Sequence, residues 1–236
     1  MSLYSYLRGA YHTVLPRRIR TFLWTNRLTR IPREWLLRRA EGLASDQELY
    51  DEEYFRTTVD PTGARSAPVM AQSIVSAVHP ASVVDVGCGT GQLLMAFASL
   101  GVGVRGLEFA EPAIRICQSR GLDVKKFDIE QDAAHDLSAD LVVSTEVAEH
   151  LPERFADRYV DLLCKIAKVV FITAAVPGTT GTDHVNEQPN EYWIAKFKDR
   201  GYDYLEEQSN CWRNEWKAAG VESWYCASAM LFRRAR

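Results

Sequence analysis

The chain has 236 residues, of which 47% are hydrophobic and 25% are charged, and its formal net charge at pH 7 is −3. This composition is ordinary for a globular protein and excludes a wholly disordered chain. Apolar runs reach about eight residues, against the roughly 20 of a membrane-spanning helix, and the start does not match a signal peptide. Five scattered cysteines without a CxxC pair indicate free thiols in a reducing compartment. We therefore expect a cytoplasmic protein, with peripheral membrane contact as a further option.

Residues 1–48 predict an N-terminal helical arm, made of two or three short amphipathic helices that break near Pro16 and Pro32. Residues 1–40 contain nine arginines and a single acid, Glu34, so they carry +8 and leave −11 on the rest of the chain. Such an arm could lie on an anionic membrane, bind a polyanion such as RNA, dock another protein, or cover its own acidic body. An arginine-rich, acid-poor start is also typical of mitochondrial transit peptides. The charge pattern leaves these uses open.

From residue 68 onward, predicted strands alternate with predicted helices, which favours a mostly parallel sheet covered on both faces. The predicted strands are 82–86, 104–109, 124–127, 140–144, 169–174, 202–205 and 223–232. The predicted helices are 68–78, 92–100, 112–120, 152–167, 191–200 and 210–219. A turn is expected at 60–63, where the sequence reads DPTG. We therefore predict an α/β domain over residues 49–236, preceded by the arm over 1–48.

Residues 83–91 read VVDVGCGTG, an apolar strand that leads into a glycine-rich turn and a helix. Glycine allows a tight turn and a close approach to a ligand. The pattern GxGxG differs from the GxGxxG of dinucleotide-binding proteins, and the Gly-Lys-Ser/Thr of a P-loop is missing. Glu108 ends the next predicted strand, where nucleotide-binding folds place a carboxylate that accepts the ribose hydroxyls. A ligand-free turn and a solvated acid are the alternatives. The combination of the glycine-rich loop with Glu108 favours a nucleotide-type site over both.

DVGCGTG, followed by the acid in GLEFA, resembles the first two motifs of class I S-adenosylmethionine-dependent methyltransferases. The resemblance covers residues 67 to about 234 and implies a Rossmann-like, doubly wound, seven-stranded sheet whose final strand is antiparallel. It implies that Asp85 and the loop backbone bind the methionine part of S-adenosylmethionine, Glu108 the ribose and Asp128 the adenine amino group. A helix cap is the alternative for Asp128. The implied cofactor-binding residues are Asp85, Gly87, Cys88, Gly89, Gly91, Glu108 and Asp128.

A group of acids and histidines follows the fourth predicted strand, where residues 144–152 read STEVAEHLP. If this segment is helical, Glu146, Glu149 and His150 lie at i, i+3 and i+4 on one face. Ligands of open α/β sheets bind beyond the carboxyl ends of the strands, so these side chains should lie beside the methyl donor. His184 follows the neighbouring fifth strand and can reach the same place. Two carboxylates and two imidazoles suit Mg²⁺, Mn²⁺ or Zn²⁺.

Other roles are open for each of these four residues. Glu146 could hold a water or the ammonium group of the cofactor, Glu149 could cap a helix, and His150 could pack behind the site. His184 could act alone as a general base for a hydroxyl, since imidazole exchanges protons near neutral pH. We predict catalytic roles for His184, His150 and Glu146, and metal ligation by all four residues.

The aromatic residues of the C-terminal third are expected to pack in the core rather than to form a substrate platform. They include Tyr192, Trp193, Trp212, Trp216, Trp224 and Tyr225.

ExxEH with a later histidine resembles the metal site of small-RNA terminal ribose methyltransferases and the corresponding motif of quinone-biosynthesis O-methyltransferases. Together, EVAEHLPE and HVNEQPNEYW are most similar to bacterial methyltransferases of sugar, glycan and natural-product pathways. The predicted function is therefore O-methylation of a hydroxyl on such a small molecule. One alternative is an RNA ribose 2′-O-methyltransferase. The acidic body and the missing aromatic-basic platform disfavour nucleic acid as a partner. A degenerate scaffold is the other alternative, which the intact motifs disfavour.

Overall fold

The computed structural model describes residues 50–133, 137–179, 181 and 184–235. Within these ranges, the residues from Glu52 onward, apart from Gly181, belong to one compact unit. The predicted arm over residues 1–48 lies outside the described residues, so its uses stay predictions. No helix in the described part of the chain is both long and apolar enough to span a membrane.

Seven strands of the described chain form a single mixed sheet in the order β3-β2-β1-β4-β5-β7-β6. The bounds are β1 Ser82–Val86, β2 Gly103–Glu108, β3 Val124–Lys126, β4 Leu141–Thr145, β5 Val169–Thr173, β6 Tyr202–Tyr204 and β7 Met230–Arg234. Strands β1 to β5 pair in parallel, whereas β7 is antiparallel to both β5 and β6. The predicted seven-stranded Rossmann-like sheet with an antiparallel final strand is confirmed.

Eight α-helices accompany this sheet in the described residues. Their bounds are α1 Glu52–Tyr54, α2 Asp60–Val78, α3 Gln92–Ser99, α4 Glu111–Ser119, α5 Ala156–Ile166, α6 Asn190–Lys198, α7 Glu206–Ala218 and α8 Ser223–Ser228. A π-helical turn, Phe55–Val59, joins α1 to α2, and 3₁₀ turns lie at Ala148–His150 and Glu153–Phe155.

Each face of the sheet is covered by a separate apolar layer. Val143 and Phe171 point to the layer of α2, α3 and α7, whereas their neighbours Val142 and Ile172 point to the layer of α5 and α6. This alternation follows from the two-residue repeat of a strand, and burial of both faces explains the apolar runs in β4 and β5.

The large aromatic side chains of α6 and α7 lie inside these layers. Trp212 and Trp216 stack with ring centroids 5.6 Å apart, and both meet the edge of Phe171 at 5.7 Å. Trp193 is buried against Tyr159 on the other face. The prediction that these aromatic residues pack in the core is confirmed for Trp193, Trp212 and Trp216.

Two predicted elements are wrong. The expected turn at 60–63 is instead the start of α2, because Pro61 lies in the first helical turn, where its missing N–H removes no hydrogen bond. The expected strand over 223–232 is α8 followed by β7. Strand β7 pairs with β5 only from Met230 onward, so the residues before it have no strand to pair with and fold as a helix.

Candidate cofactor and catalytic site

The glycine-rich loop connects β1 to α3 with three residues in the left-handed region, Gly87, Gly89 and Gly91, at φ of 76°, 53° and 77°. A Cβ at Gly87 would lie 2.4 Å from a methyl group of Val147, and one at Gly91 would lie 2.3 Å from Leu122. Backbone conformation and contacts within the protein therefore require glycine at two of the three positions. Sequence reasoning had attributed the glycines to the turn and to the approach of a ligand.

Glu108 ends β2 and ties this strand to the loop. One carboxylate oxygen accepts the backbone N–H of Gly89 at 2.7 Å, and the other accepts those of Phe109 and Ala110 at 2.9 Å. Burial raises the pKa of Glu108, although these three hydrogen bonds oppose the rise. A carboxylate offers roughly four lone-pair positions, so Glu108 keeps acceptor capacity for a hydroxyl.

Asp85 is a buried ionisable group beside the loop. It is 1% exposed, and its Oδ1 has no hydrogen-bond partner among the described residues. Burial, together with the nearby charge of Glu108, raises the pKa of Asp85 to about 8. Because an unpaired buried carboxylate is costly, a ligand that brings a positive charge would be favoured here.

An ion pair anchors the start of α2 to the same loop. Arg120 binds both carboxylate oxygens of Asp60, at 2.8 and 3.0 Å, and donates to the Thr90 carbonyl at 2.7 Å. Gln92 donates to Asp60 at 2.8 Å as well. The Arg120 hydrogen bonds lower the pKa of Asp60 to about 2, so the pair is charged at neutral pH.

Asp128 follows β3, as predicted, and closes a local turn. Its two carboxylate oxygens accept the backbone N–H of Glu130 and the side-chain amide of Gln131, both at 2.8 Å. The structure thus gives it a turn in place of the helix cap that we considered. Its contact with adenine stays a prediction.

The ExxEH segment does not form the single α-helical face that the spacing suggested. Glu146 adopts a left-handed backbone with φ of 56°, and only Ala148–His150 form a 3₁₀ turn. The backbone N–H of Glu146 is held by the carbonyl and the hydroxyl oxygens of Thr173 at 3.1 and 3.2 Å. Because Glu146 is left-handed, the chain cannot enter a right-handed α-helix directly after β4.

Glu149, His150 and His184 nevertheless come together. Each offers a ligand atom, and these atoms lie within 4.8 Å of one another. The rings of His150 and His184 meet edge to face with centroids 5.1 Å apart. Glu146, which was predicted to join them, is not in this group, although one of its carboxylate oxygens is also buried without a hydrogen-bond partner among the described residues.

Glu149 is fully buried, and neither of its carboxylate oxygens has a hydrogen-bond partner among the described residues. Burial, followed by repulsion from Glu146, raises the pKa of Glu149 well above its usual range. Burial also raises the pKa of Glu146. A cation or a set of donors placed between these carboxylates would relieve both effects.

The segment after β5 is fastened to the ExxEH segment by its backbone. The N–H groups of Val185 and Asn186 donate to the Glu149 carbonyl at 2.9 and 3.0 Å. These bonds explain how His184, 34 residues away from His150 in the chain, reaches the same cluster.

Sequence reasoning missed two residues of this region. Tyr225 on α8 lies close enough to Glu146 and Asp85 that burial and then their charges raise its pKa. The mistaken strand over 223–232 hid this placement. Glu187 contacts His184 at 3.0 Å. An acid three residues after a candidate histidine was the available signal.

The comparisons with known proteins agree with this geometry. Residues 84–169 match a family model described as a methyltransferase domain, and this stretch includes the glycine loop, Glu108 and the ExxEH segment. This stretch is therefore similar to a methyltransferase domain, and the fold is similar to that of solved methyltransferases.

Among curated proteins, the chain is similar to the ubiquinone biosynthesis O-methyltransferase of Ralstonia nicotianae, at 36% identity over 78 residues. That match covers 30% of this chain and spans about a third (33%) of the length of the relative.

Among solved structures, the fold is similar to magnesium protoporphyrin IX methyltransferase from Synechocystis PCC 6803 with bound SAH. The TM-score is 0.56 at 16% identity, over 76% of this chain and 88% of the other. It is also similar to an amino pentose methyltransferase of calicheamicin biosynthesis from Micromonospora echinaspora, with a TM-score of 0.53 at 19% identity, over 72% and 90% of the two chains.

Proposed function

We propose that this chain is an S-adenosylmethionine-dependent methyltransferase. The observation that carries the proposal is the buried carboxylate of Asp85, whose Oδ1 has no hydrogen-bond partner within the described part of the chain and which lies beside a left-handed glycine loop that Glu108 fastens to β2. S-adenosylmethionine, when bound, supplies a methyl group on a positively charged sulfonium and carries an ammonium group. Asp85 would pair with positive charge, and Glu108 would accept a ribose hydroxyl with its remaining lone pair.

The acceptor would be held on the same edge of the sheet. The β1 and β4 strands are direct neighbours, so the loop after β1 and the segment after β4 leave the sheet side by side. Where no metal occupies their lone pairs, His184 or His150 would take the proton of an acceptor hydroxyl, and the buried surroundings would exclude bulk water. Holding the acceptor oxygen in line with the methyl group would raise the rate further.

Binding of S-adenosylhomocysteine to a Glu108→Gln variant tests the cofactor proposal. We expect the affinity to fall at least about tenfold, because one amide oxygen cannot replace the carboxylate toward both the loop and the ribose. Isothermal titration calorimetry measures this affinity. Glu111→Gln, which changes an exposed acid on α4 paired with Lys126, is the matched control and should bind normally. An unchanged affinity in Glu108→Gln would remove Glu108 from the site.

We further propose that the acceptor is a hydroxyl of a sugar, glycan or natural-product small molecule. The matched relative is named an O-methyltransferase, and the EVAEHLPE and HVNEQPNEYW segments resemble methyltransferases of such pathways. The imidazole cluster supports oxygen as the acceptor, since a hydroxyl must lose a proton and an imidazole can take it. RNA ribose methylation is the alternative, and transfer of a labelled methyl group to RNA would show it.

We also propose that a divalent cation can bind at the histidine cluster, held by Glu149, His150 and His184. The unpartnered oxygens of Glu149 fit this chemistry, and imidazole with carboxylate suits Zn²⁺ or Mn²⁺ better than Mg²⁺. A bound cation would lower the free energy needed to deprotonate the acceptor hydroxyl. Glu146 stays a candidate for a further ligand or for the cofactor ammonium.

Chelation tests the metal proposal. We expect exhaustive dialysis against a chelator to abolish methyl transfer, re-addition of Mn²⁺ or Zn²⁺ to restore it, and elemental analysis to find the metal in the untreated protein. Full turnover after chelation, with no metal found, would leave His184 as an unassisted general base.

A further inference from the structure

Glu187 bridges two parts of the segment that follows β5. Its Oε1 lies 3.0 Å from Nδ1 of His184, and its Oε2 accepts the backbone N–H of Gly178 at 2.9 Å. The His184 and Glu187 side chains are 10% and 18% exposed. Both oxygens of one carboxylate are therefore used, one to fix the chain and one to face the imidazole.

The position of His184 is set independently by its neighbours. The backbone bonds of Val185 and Asn186 to Glu149 hold the segment against the ExxEH turn. The His150 ring contacts one side of His184. With the backbone fixed in this way, the contact with Glu187 decides which nitrogen of the ring faces the cluster.

We propose that Glu187 is a positioning residue that sets the orientation and the tautomer of His184. A carboxylate oxygen accepts, so the nitrogen that faces it, Nδ1, carries the hydrogen. The lone pair then belongs to Nε2. This lone pair is available to the group formed with Glu149 and His150, or to a ligand bound there. Carboxylates behind an imidazole act in this way on general bases and on metal ligands.

This inference deepens the proposed catalytic role of His184 and rests on it for its importance, but its structural content can be tested separately. Long-range ¹H–¹⁵N correlation spectra of the metal-free full chain, labelled on histidine nitrogen and recorded at pH 8, report the tautomer directly. His184→Gln identifies the signal. We expect hydrogen on Nδ1 and none on Nε2 in the wild-type protein.

Glu187→Gln should abolish this preference. One amide oxygen cannot accept from both Gly178 and Nδ1, so an N–H group must face one of these donors. Glu191→Gln, an exposed acid in the first turn of α6, is the control and should leave the spectrum of His184 unchanged. A wild-type signal with hydrogen on Nε2, or a preference that survives in a folded Glu187→Gln variant, would overturn the proposal. The wild-type measurement decides even if that variant does not fold.

Titration with Mn²⁺ alone supplies the second readout. Loss of the carboxylate behind a metal-bound histidine typically weakens metal affinity by about 10-fold to 100-fold, so Glu187→Gln should show such a loss and Glu191→Gln none. If the wild-type protein binds no Mn²⁺, the metal proposal fails for Mn²⁺, and the tautomer measurement still decides the role of Glu187. Equal Mn²⁺ affinities in wild-type protein and Glu187→Gln would contradict the positioning role.

Discussion

Asp85 connects the stability of the ligand-free protein to the cofactor binding that we propose. Its carboxylate is buried beside that of Glu108, and its pKa is raised to about 8. Because the folded protein holds this proton more tightly than the unfolded chain, its stability falls as pH rises from about 4 to about 8. Under the proposed function, the same buried carboxylate would attract the positively charged cofactor.

Asp85→Asn should therefore stabilise the ligand-free protein and weaken its cofactor binding. We expect little change near pH 4 and a gain that grows to about 2–4 kcal/mol at pH 7, since each pKa unit corresponds to about 1.4 kcal/mol. Urea unfolding at pH 5 to 8 measures the gain. Asp123→Asn, which changes an exposed acid, is the control variant. A stability difference that is independent of pH would contradict the raised pKa of Asp85.

Candidate site residues that belong to a sequence motif were predictable. Those whose position depends on contacts between distant parts of the chain were less so. Asp85 and Glu108 follow from the strand and loop pattern, and the structure places both beside the glycine loop. Glu146 could not be separated from Glu149 by spacing, because the left-handed backbone after β4 depends on Thr173 of the neighbouring strand. That contact joins residues that are distant in the chain, so no local pattern reveals it.

At the scale of elements, the start of α2 helps to hold the glycine-rich loop in place. The pair of Asp60 and Arg120 joins α2 to the residue after α4 and, through the Thr90 carbonyl, to the glycine loop. Their side chains are about a quarter exposed, which places the pair between a surface and a buried ion pair. Sequence analysis expected a turn here, so the pair was not predictable from it.

Asp60→Asn should destabilise the protein by about 1–2 kcal/mol at pH 7, after allowance for solvent screening. The pKa of Asp60 is lowered to about 2, so its contribution is present above the unfolded value near 4 and is lost as pH falls toward 2. Unfolding at pH 7, 4 and 3 should show the difference shrinking. Glu111→Gln, which breaks the exposed pair with Lys126, is the control and should change the stability much less. A loss that is equal at pH 7 and pH 3 would contradict the ion-pair account.

Elements with a clear period or a strong boundary were predicted within one or two residues, as for β1, α3 and β4. Helix α8 was not, because its sequence, SWYCAS, suits a strand as well as a helix. This segment forms a helix because β5 is too short to pair with it as a strand. This error also hid the approach of Tyr225 to Glu146 and Asp85.

At the scale of the whole molecule, the charge is divided between residues 1–40, at +8, and the rest of the chain, at −11. Each arginine near an anionic surface can contribute on the order of 1 kcal/mol at low salt, an attraction that is screened over about 10 Å. We therefore propose that residues 1–40 contact a membrane or a partner protein.

A truncation that begins near residue 45 tests this proposal. We expect cofactor binding and thermal stability to be retained. Affinity for anionic liposomes, or activity on the natural acceptor, should be lost in a salt-dependent manner. Co-sedimentation with liposomes at two salt concentrations and a melting curve measure these effects. If the truncated protein unfolds or loses its cofactor, residues 1–40 instead cover the acidic body of their own chain.

The most direct test of the central claim is methyl transfer itself. The full chain is incubated with S-adenosylmethionine labelled in its methyl group and with an extract of the cells that produce it. We predict that the label enters a low-molecular-mass or glycan product on oxygen, that Glu108→Gln removes the transfer, and that Glu111→Gln retains it. Failure of the wild-type chain both to transfer the label and to retain the labelled cofactor would contradict the assignment as a methyltransferase.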